Sequence, residues 1–278
     1  MTVAVILAGG RGSRISEETG LRPKPMIEIG GRPILWHIMK TYAHHGVTEF
    51  VICLGYKGHA IKEYFTSYRL YSSDLTVDLS NGNVTCHQSA EEPWKVTLVD
   101  TGDLTETGGR LLRAARYLPT HEPFCLTYGD GVADVDIGAL LRFHAGHGGL
   151  ATVTAVQPPG RFGALAQDGD RVTAFVEKPA KGGSINGGYF VFDPAVLHYL
   201  ADDSTVLERE PLEALAGEGQ LFAYEHEGFW QCCLRPPWRP VAVAALLQSV
   251  QPRRTRHQAF PLDARGPACG TRAGDREP

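Results

Sequence analysis

The chain has 278 residues, of which 43% are hydrophobic and 21% charged, the composition of an ordinary globular protein that can bury a core without disulfides or structural metals. Its formal net charge of -4 at pH 7 excludes a global electrostatic attraction to nucleic acid or to an acidic membrane, so phosphate binding requires a local basic site. The sequence has no apolar stretch long enough to span a membrane, and the apolar run at 3–7 is too short for a signal peptide. We therefore expect a cytoplasmic protein whose partners are neither nucleic acid nor a membrane.

The six cysteines form no C-x-x-C pair and have no zinc-ligand spacing. Cys53 and Cys125 lie in apolar runs, where a buried and unreactive thiol is the expected state. This usage is typical of a reduced protein.

Strand-like and helix-like segments alternate along the first half of the chain. The run at 3–7 is continuously apolar and ends in glycines, which is typical of a buried strand, whereas 33–45 has apolar residues at helical spacing. Such alternation predicts a parallel sheet covered by helices. The predicted strands are 3–7, 50–54, 95–99, 124–128, 150–156, 171–177 and 188–192, and 82–94 is predicted to be extended. The predicted helices are 33–45, 61–70, 109–118, 136–147, 193–200 and 208–216.

The end of the chain differs in composition from the rest. Arginine, proline and alanine accumulate from Cys232 onward, and 252–278 has little apolar periodicity. We therefore predict one domain over 1–231 and an atypical tail over 232–278, for which disorder is one explanation.

A glycine-rich segment follows the first predicted strand, and Lys24 comes ten residues after it. Glycines at this point let backbone amides face an anion, and Arg14 and Lys24 would add charge to the same phosphate chain. The alternative is a tight strand-to-helix turn without a ligand. The predicted nucleotide-binding residues here are Leu7, Ala8, Gly9, Gly10, Arg11, Gly12, Ser13, Arg14 and Lys24.

Asp130 follows the predicted strand at 124–128. A carboxylate at the carboxyl end of such a strand lies where α/β folds bind ligands, and it can hold Mg²⁺ together with substrate phosphates. The alternative is that the Asp-Gly pair only forms a turn. Asp134 and Asp136 are interpreted as a helix cap and a first-turn charge.

A third segment, 99–110, carries a glycine pair and Arg110 at the start of a predicted helix. This arrangement favours a nucleotide pocket, with a solvated loop as the alternative. Further along the chain, Glu177-Lys178-Pro179 and Asn186-Gly187-Gly188 pair a phosphate-binding lysine with groups that can hydrogen-bond sugar hydroxyls.

Taken together, 7–14 and 22–26 resemble the N-terminal signature of the nucleotide-sugar pyrophosphorylases. In that family the glycine loop wraps a nucleoside triphosphate. The resemblance therefore implies that Arg14 contacts the departing pyrophosphate and Lys24 the α-phosphate, with Arg14, Lys24 and Asp130 as the catalytic set. It implies further nucleotide contacts from Thr105, Arg110 and Gly129, and sugar-phosphate contacts from Glu177, Lys178, Asn186 and Gly187.

The resemblance extends from residue 3 to about 231, and several segments are similar to the glucose-1-phosphate cytidylyltransferase branch. Those segments are 36–40, 55–58, 61–65, 92–94 and 225–231. This implies a Rossmann-like nucleotidyltransferase fold of the α/β class, with a mixed central sheet flanked by helices. It also implies CTP and glucose 1-phosphate as substrates, CDP-glucose as product, Mg²⁺ as cofactor and a homo-oligomer. A UTP- or dTTP-using relative would keep the same motifs.

One departure from the family pattern is clear. The family has a second metal-binding aspartate soon after Phe229-Trp230-Gln231, whereas here no carboxylate follows until Asp263. A change of reading frame near Cys233 would explain both the missing aspartate and the unusual tail. Since magnesium on one carboxylate is less firmly held than on two, the sequence predicts impaired catalysis, and a homologue that binds nucleotide without turnover is the alternative.

Overall fold

A mixed nine-stranded sheet forms the centre of the molecule. The structure, a computed structural model, describes residues 2–10, 22–89, 92–157, 164–176 and 183–232. Apolar residues of the first strand alternate between two cores: Ala4 and Ile6 belong to one, and Val3, Val5 and Leu7 to the other. Helices pack over both cores, so the predicted α/β class with a mixed, helix-flanked sheet is confirmed.

The strands of the described residues are numbered in chain order. They are β1 (Val3–Leu7), β2 (Glu28–Ile29), β3 (Arg32–Pro33), β4 (Glu49–Leu54), β5 (Ser73–Asp78), β6 (Asn83–Ser89), β7 (Lys95–Asp100), β8 (Phe124–Tyr128), β9 (Gly131–Ala133), β10 (Ala151–Val156), β11 (Ala164–Asp168), β12 (Arg171–Val176), β13 (Ile185–Phe192), β14 (Leu221–His226) and β15 (Trp230–Cys232). The α-helices are α1 (Ile34–His44), α2 (Gly58–Thr66), α3 (Tyr68–Ser72), α4 (Thr107–Ala114), α5 (Ile137–His147) and α6 (Glu210–Gly217), and short 3₁₀ helices cover Lys24–Met26, Ala115–Tyr117 and Pro194–Tyr199.

The order of strands in the sheet is β10-β14-β12-β11-β13-β8-β1-β4-β7. The four strands β8, β1, β4 and β7 are mutually parallel, while β13 runs antiparallel to β8. Because parallel strands end at the same edge, the segments after β1, β4, β7 and β8 come together there. This is the edge at which α/β sheets bind ligands.

Most predicted elements are found close to their predicted ends, and the differences have local causes. The predicted helix at 61–70 is two helices, α2 and α3, because the backbone leaves helical geometry at Ser67 (φ -99°, ψ 4°). Strands β2, β3, β5, β9, β11, β14 and β15 were not predicted. Strand β14 lacks a clear apolar pattern, because it buries only Leu221 and Ala223 of its six residues. The helix cap is Asp136 and not Asp134 as predicted: the Asp136 carboxylate accepts a hydrogen bond from Ala139 N at 2.8 Å, whereas that of Asp134 lies 3.1 Å from His226 Nε2.

Burial raises the pKa of Cys53 and of Cys125 to about 12, so both thiols are unreactive as predicted. None of the helices in the described part of the chain is long and apolar enough to cross a membrane.

His144 lies buried between α5 and β10, where its Nδ1 is 2.9 Å from Thr152 Oγ1. Burial, with a smaller contribution from His147, lowers its pKa from 6.5 to about 4. The unfolded chain therefore takes up this proton near pH 6.5 and the folded protein only near pH 4, so stability falls as pH drops through that window.

We expect the free energy of unfolding to fall between pH 7 and 4, with up to about 3 kcal/mol of the fall due to His144. Denaturant titrations at several pH values measure this. His144→Gln should flatten the profile relative to the unsubstituted protein, whereas His121→Gln at an exposed position should not. Equal slopes for all three proteins would contradict the assignment.

Candidate active site

A cavity of about 510 Å³ opens at the carboxyl ends of β1 and β8, a size within the range of small-molecule sites. Four separate segments of the chain meet around it: the turn after β1, the start of the 3₁₀ helix at Lys24, the loop leading into α4, and the end of β8 with the two residues after it. The residues that line it are Leu7, Ala8, Gly9, Gly10, Lys24, Pro25, Asp103, Leu104, Thr105, Glu106, Thr107, Arg110, Tyr128, Gly129 and Asp130.

Arg110 lies directly against the glycine turn. Its Nη1 donates to Leu54 O at 3.1 Å, Thr101 Oγ1 at 2.9 Å and Gly102 O at 2.8 Å. A Cβ atom on Gly9 would lie 1.9 Å from this nitrogen, so only glycine leaves room for the guanidinium. The side chain is 5% exposed, and burial lowers its pKa from 12.5. A cation desolvated in this way favours an anionic or strongly polar ligand in the cavity.

The start of α4 is covered by the chain itself. Glu106 N donates to Asp203 O at 2.9 Å, and the amides of Gly108 and Gly109 donate to Thr205 O at 2.9 and 3.2 Å. These amides are therefore not available to a phosphate, although a free helix N-terminus would attract one. The glycine pair predicted to form the pocket instead makes room for the 201–209 segment, since a Cβ on Gly109 would lie 2.6 Å from Asp203 O.

Lys24 and Asp130 form an ion pair in the cavity lining, with Lys24 Nζ 3.4 Å from Asp130 Oδ2. Their side chains are 11% and 29% exposed, so the cation is nearly buried and the carboxylate partly open. Gly129 brings them together, because its amide donates to Leu7 O at 2.9 Å and a Cβ there would lie 3.0 Å from Pro25 Cγ. The close approach of β1 and β8 thus places a cation and a carboxylate at one point.

The wall opposite the glycine turn is a chain of hydrogen bonds that includes Tyr128. The Tyr128 hydroxyl donates to Glu208 Oε1 at 2.5 Å, and Thr107 Oγ1 donates to Glu208 Oε2 at 2.6 Å. Asn186 Nδ2 donates to the Tyr128 hydroxyl at 3.3 Å. Burial and the neighbouring Glu208 raise the pKa of Tyr128 well above 10, so its hydroxyl stays protonated.

The model of the family described as "Nucleotidyl transferase" matches residues 3–230, which is most of the chain and all of the cavity. The chain belongs to this family. The glucose-1-phosphate cytidylyltransferase of Salmonella typhi is 56% identical over 229 residues, covering 82% of this chain and 89% of the relative. A probable glucose-1-phosphate cytidylyltransferase of Bacillus subtilis is 47% identical over 228 residues, covering 82% and 89%.

Among solved structures, HddC from Yersinia pseudotuberculosis complexed with GMP-PN superposes with a TM-score of 0.69 at 23% identity, covering 88% of this chain and 99% of that one. This likeness concerns the fold. It confirms the nucleotidyltransferase fold expected from the sequence.

The cavity of this nucleotidyltransferase gathers most of the predicted nucleotide-binding residues. Those that line it are Leu7, Ala8, Gly9, Gly10, Lys24, Thr105, Arg110 and Gly129, and Asp130, predicted as the metal-binding residue, lines it as well. Asn186 and Gly187 lie on β13 outside its lining, although Asn186 reaches Tyr128. The predicted residues Arg11, Gly12, Ser13, Arg14, Glu177 and Lys178 lie outside the described residues, as does the sequence after Cys232.

Tyr128 and Glu208, which are joined by a hydrogen bond, are among the residues that shape the site without having been predicted as site residues. Tyr128 could have been predicted, because it is the last residue of the strand that precedes Asp130 and therefore lies at the same edge of the sheet. Glu208 gives no such signal, since it is 80 residues from Tyr128 and 101 from Thr107 and was assigned only to the start of a helix.

Proposed function

We propose that the chain transfers a cytidylyl group from CTP to α-D-glucose 1-phosphate, giving CDP-glucose and pyrophosphate. The observation that carries the proposal is the 56% identity to a glucose-1-phosphate cytidylyltransferase over nearly the whole described domain. The cavity supports it independently, because a glycine turn, two cations and one partly open carboxylate suit a triphosphate.

In the proposed reaction an oxygen of the sugar phosphate attacks the α-phosphorus of CTP. The bond between that phosphorus and the bridging oxygen breaks, and pyrophosphate leaves with the electron pair. No protein nucleophile is required, so the chain contributes position and charge. Lys24 would neutralise the α-phosphate, Arg14 the leaving pyrophosphate, and Lys178 would orient the attacking phosphate.

The proposed orientation of the nucleotide rests on the hydrogen-bond donors around the cavity that the chain itself occupies. The amides at the start of α4 are occupied by Asp203 and Thr205, so the phosphates are expected over Gly9, Gly10 and Lys24. The base and ribose would then lie beside Thr105 and Arg110. Glu177, Asn186 and Gly187 would contact the sugar.

Asp130 is the residue proposed to hold Mg²⁺. Its carboxylate is partly open to the cavity, and magnesium typically binds one or two carboxylates plus substrate phosphates rather than a full protein cage. The described residues contain no cluster of three side chains that could hold a metal. When bound, Mg²⁺ would supply positive charge at the phosphates.

Pyrophosphate release with a panel of CTP, UTP, dTTP and GTP, each with glucose 1-phosphate, tests the proposal. We expect CTP to be preferred. Equal rates with UTP or dTTP would replace the cytidylyltransferase assignment with a related sugar-1-phosphate nucleotidyltransferase. CTP binding without pyrophosphate release at saturating Mg²⁺ would instead favour a nucleotide-binding homologue that has lost turnover.

The missing second aspartate is tested in the same assay. Leu234→Asp restores a carboxylate near the family position, and we expect it to raise turnover by about 100-fold, the scale on which a single electrostatic stabiliser acts. Leu234→Asn is the matched control. Translation of the source DNA in the other two frames tests the change of reading frame, which would be refuted if neither frame encodes an aspartate near Cys233.

We also propose that the chain forms a homo-oligomer through the ribbon of β5 and β6. Leu75 and Val77 pair with Cys86 and Val84 on one face of this ribbon, and the side chains of Leu75, Val77 and Val84 are exposed. A two-stranded ribbon with an uncovered apolar face is only marginally stable, so a second copy is the favoured cover.

Val77→Asp is expected to shift the protein toward monomer in size-exclusion chromatography with light scattering, because a carboxylate would be buried at the interface. Thr85→Asp places the same charge on the opposite face and should leave the mass unchanged. A monomeric unsubstituted protein, or equal effects of both variants, would contradict this interface.

A further inference from the structure

Glu208 is a half-buried carboxylate behind the cavity wall whose two oxygens both accept hydrogen bonds from hydroxyl groups. The donors are Thr107 Oγ1 at 2.6 Å and the Tyr128 hydroxyl at 2.5 Å. Within the described part of the chain, no lysine, arginine or histidine forms an ion pair with it. Because burying a carboxylate without a cation is unfavourable for folding, its position calls for a functional explanation.

An ionised carboxylate only accepts hydrogen bonds, so it fixes the direction of every bond in the chain. Both hydroxyl hydrogens have to point at Glu208, which leaves the oxygen lone pairs to accept from elsewhere. Tyr128 therefore accepts from Asn186 Nδ2, at 3.3 Å. Asn186 Oδ1 in turn accepts from Gly188 N at 2.7 Å, so the side-chain amide has a single orientation.

The ring of Tyr128 is also held in place. Gly188 has φ +81°, and a Cβ there would lie 2.7 Å from Tyr128 Cδ2. The Phe190 ring packs at 88° to that of Tyr128, with centroids 6.0 Å apart. Since the ring is confined in this way, the direction of the hydroxyl hydrogen is what Glu208 controls.

We infer that Glu208 is a positioning residue that acts through Tyr128 to orient the Asn186 amide for the sugar end of the substrate. The inference rests on the proposed function, in which Asn186 contacts the sugar phosphate. Through its hydrogen bonds, Glu208 connects the start of α4, on the nucleotide side of the cavity, to β13, on the sugar side. Loss of Glu208 should therefore weaken binding of a sugar nucleotide much more than binding of the triphosphate alone.

Titration calorimetry with CTP and with CDP-glucose separates the two ends of the site without needing turnover. Glu208→Leu removes both acceptors at similar side-chain volume, so the Tyr128 hydroxyl hydrogen is no longer held away from the Asn186 amide and the bond from Asn186 Nδ2 loses its fixed acceptor. We expect CDP-glucose affinity to fall about tenfold and CTP affinity to change less than about twofold, the size of effect expected for one hydrogen bond. Glu210→Leu, two residues along and exposed, is the matched control.

Tyr128→Phe keeps the ring and removes the hydroxyl, so it tests the route from Glu208 even if Glu208→Leu folds poorly. It should reproduce the selective loss of CDP-glucose affinity, and adding Glu208→Leu to it should have no further effect. Equal losses for CTP and CDP-glucose, or additive effects in the double variant, would overturn the positioning role. If the unsubstituted protein prefers UDP-glucose, the proposed nucleotide is wrong but this inference is not. The loss of affinity for the sugar nucleotide relative to that for the triphosphate is then measured with UDP-glucose and UTP.

Discussion

Asp130→Asn is expected to lower kcat by about 10²- to 10³-fold, the effect of removing one preorganised electrostatic group from a transition state. Asp130 is the partly open carboxylate that faces the cavity beside Lys24. Asparagine keeps the shape of the side chain and removes the charge that would hold Mg²⁺. Single-turnover measurements of pyrophosphate release over a range of Mg²⁺ concentrations give the size of the loss.

CTP binding in the presence of EDTA should survive Asp130→Asn, because the glycine turn, Lys24 and Arg110 remain in place. The matched control is Asp134→Asn, four residues along the chain, where the carboxylate is 3.1 Å from His226 Nε2 and lies outside the cavity lining. If Asp130→Asn keeps kcat within threefold of the unsubstituted protein, or if both variants lose activity equally, Asp130 is not the metal-binding carboxylate.

Gly9→Ala is expected to weaken CTP binding by roughly 10- to 100-fold, which corresponds to the loss of a hydrogen bond to a charged group. The new Cβ would lie 1.9 Å from Arg110 Nη1, 2.5 Å from Arg110 Cζ and 2.9 Å from Gly55 N. The backbone at Gly55 cannot move away easily, so the Arg110 guanidinium has to move. It then loses its hydrogen bonds to Leu54, Thr101 and Gly102. Titration calorimetry with CTP measures the effect.

The same substitution should lower the free energy of unfolding of the ligand-free protein by about 1–3 kcal/mol, as overpacking does. Gly10→Ala is the control for this measurement, because a Cβ at Gly10 would meet no atom within 4 Å. It should change the free energy of unfolding by less than about 0.5 kcal/mol. If the two alanine variants are equally stable, Arg110 is not held against Gly9 as described.

The arrangement of the site explains why so much of it was predictable. Strands that are continuously apolar, such as β1 and β8, have to be buried in a sheet, and the polar residues that follow them have to emerge at its edge. Gly9, Lys24 and Asp130 were therefore predictable as neighbours although 121 residues separate the first from the last. Thr105 followed only from a resemblance, whereas Arg110 was also suggested by the glycine pair before it, and the cavity contains both.

Other features depended on contacts that local sequence does not encode. Gly108 and Gly109 were interpreted as part of a nucleotide pocket, yet both of their amides donate to the carbonyl of Thr205, nearly a hundred residues away. The 201–209 segment is also tied down by Arg113, whose Nε donates to Asp203 Oδ1 at 2.7 Å. A glycine pair at the start of a helix could either bind a phosphate or make room for another segment of the chain. Only the packing of the distant 201–209 segment decides between these two roles.

The sequence by itself determined the α/β class, the buried parallel strands and the residue types proposed to face a triphosphate, because these follow from apolar periodicity and from the chemistry of glycine, lysine and aspartate. Only the tertiary structure decided which donors around the cavity are free and which are occupied. It placed Glu208 behind Tyr128 and Arg110 against Gly9, since hydrogen bonds and close contacts between distant segments form only when the sheet brings those segments together.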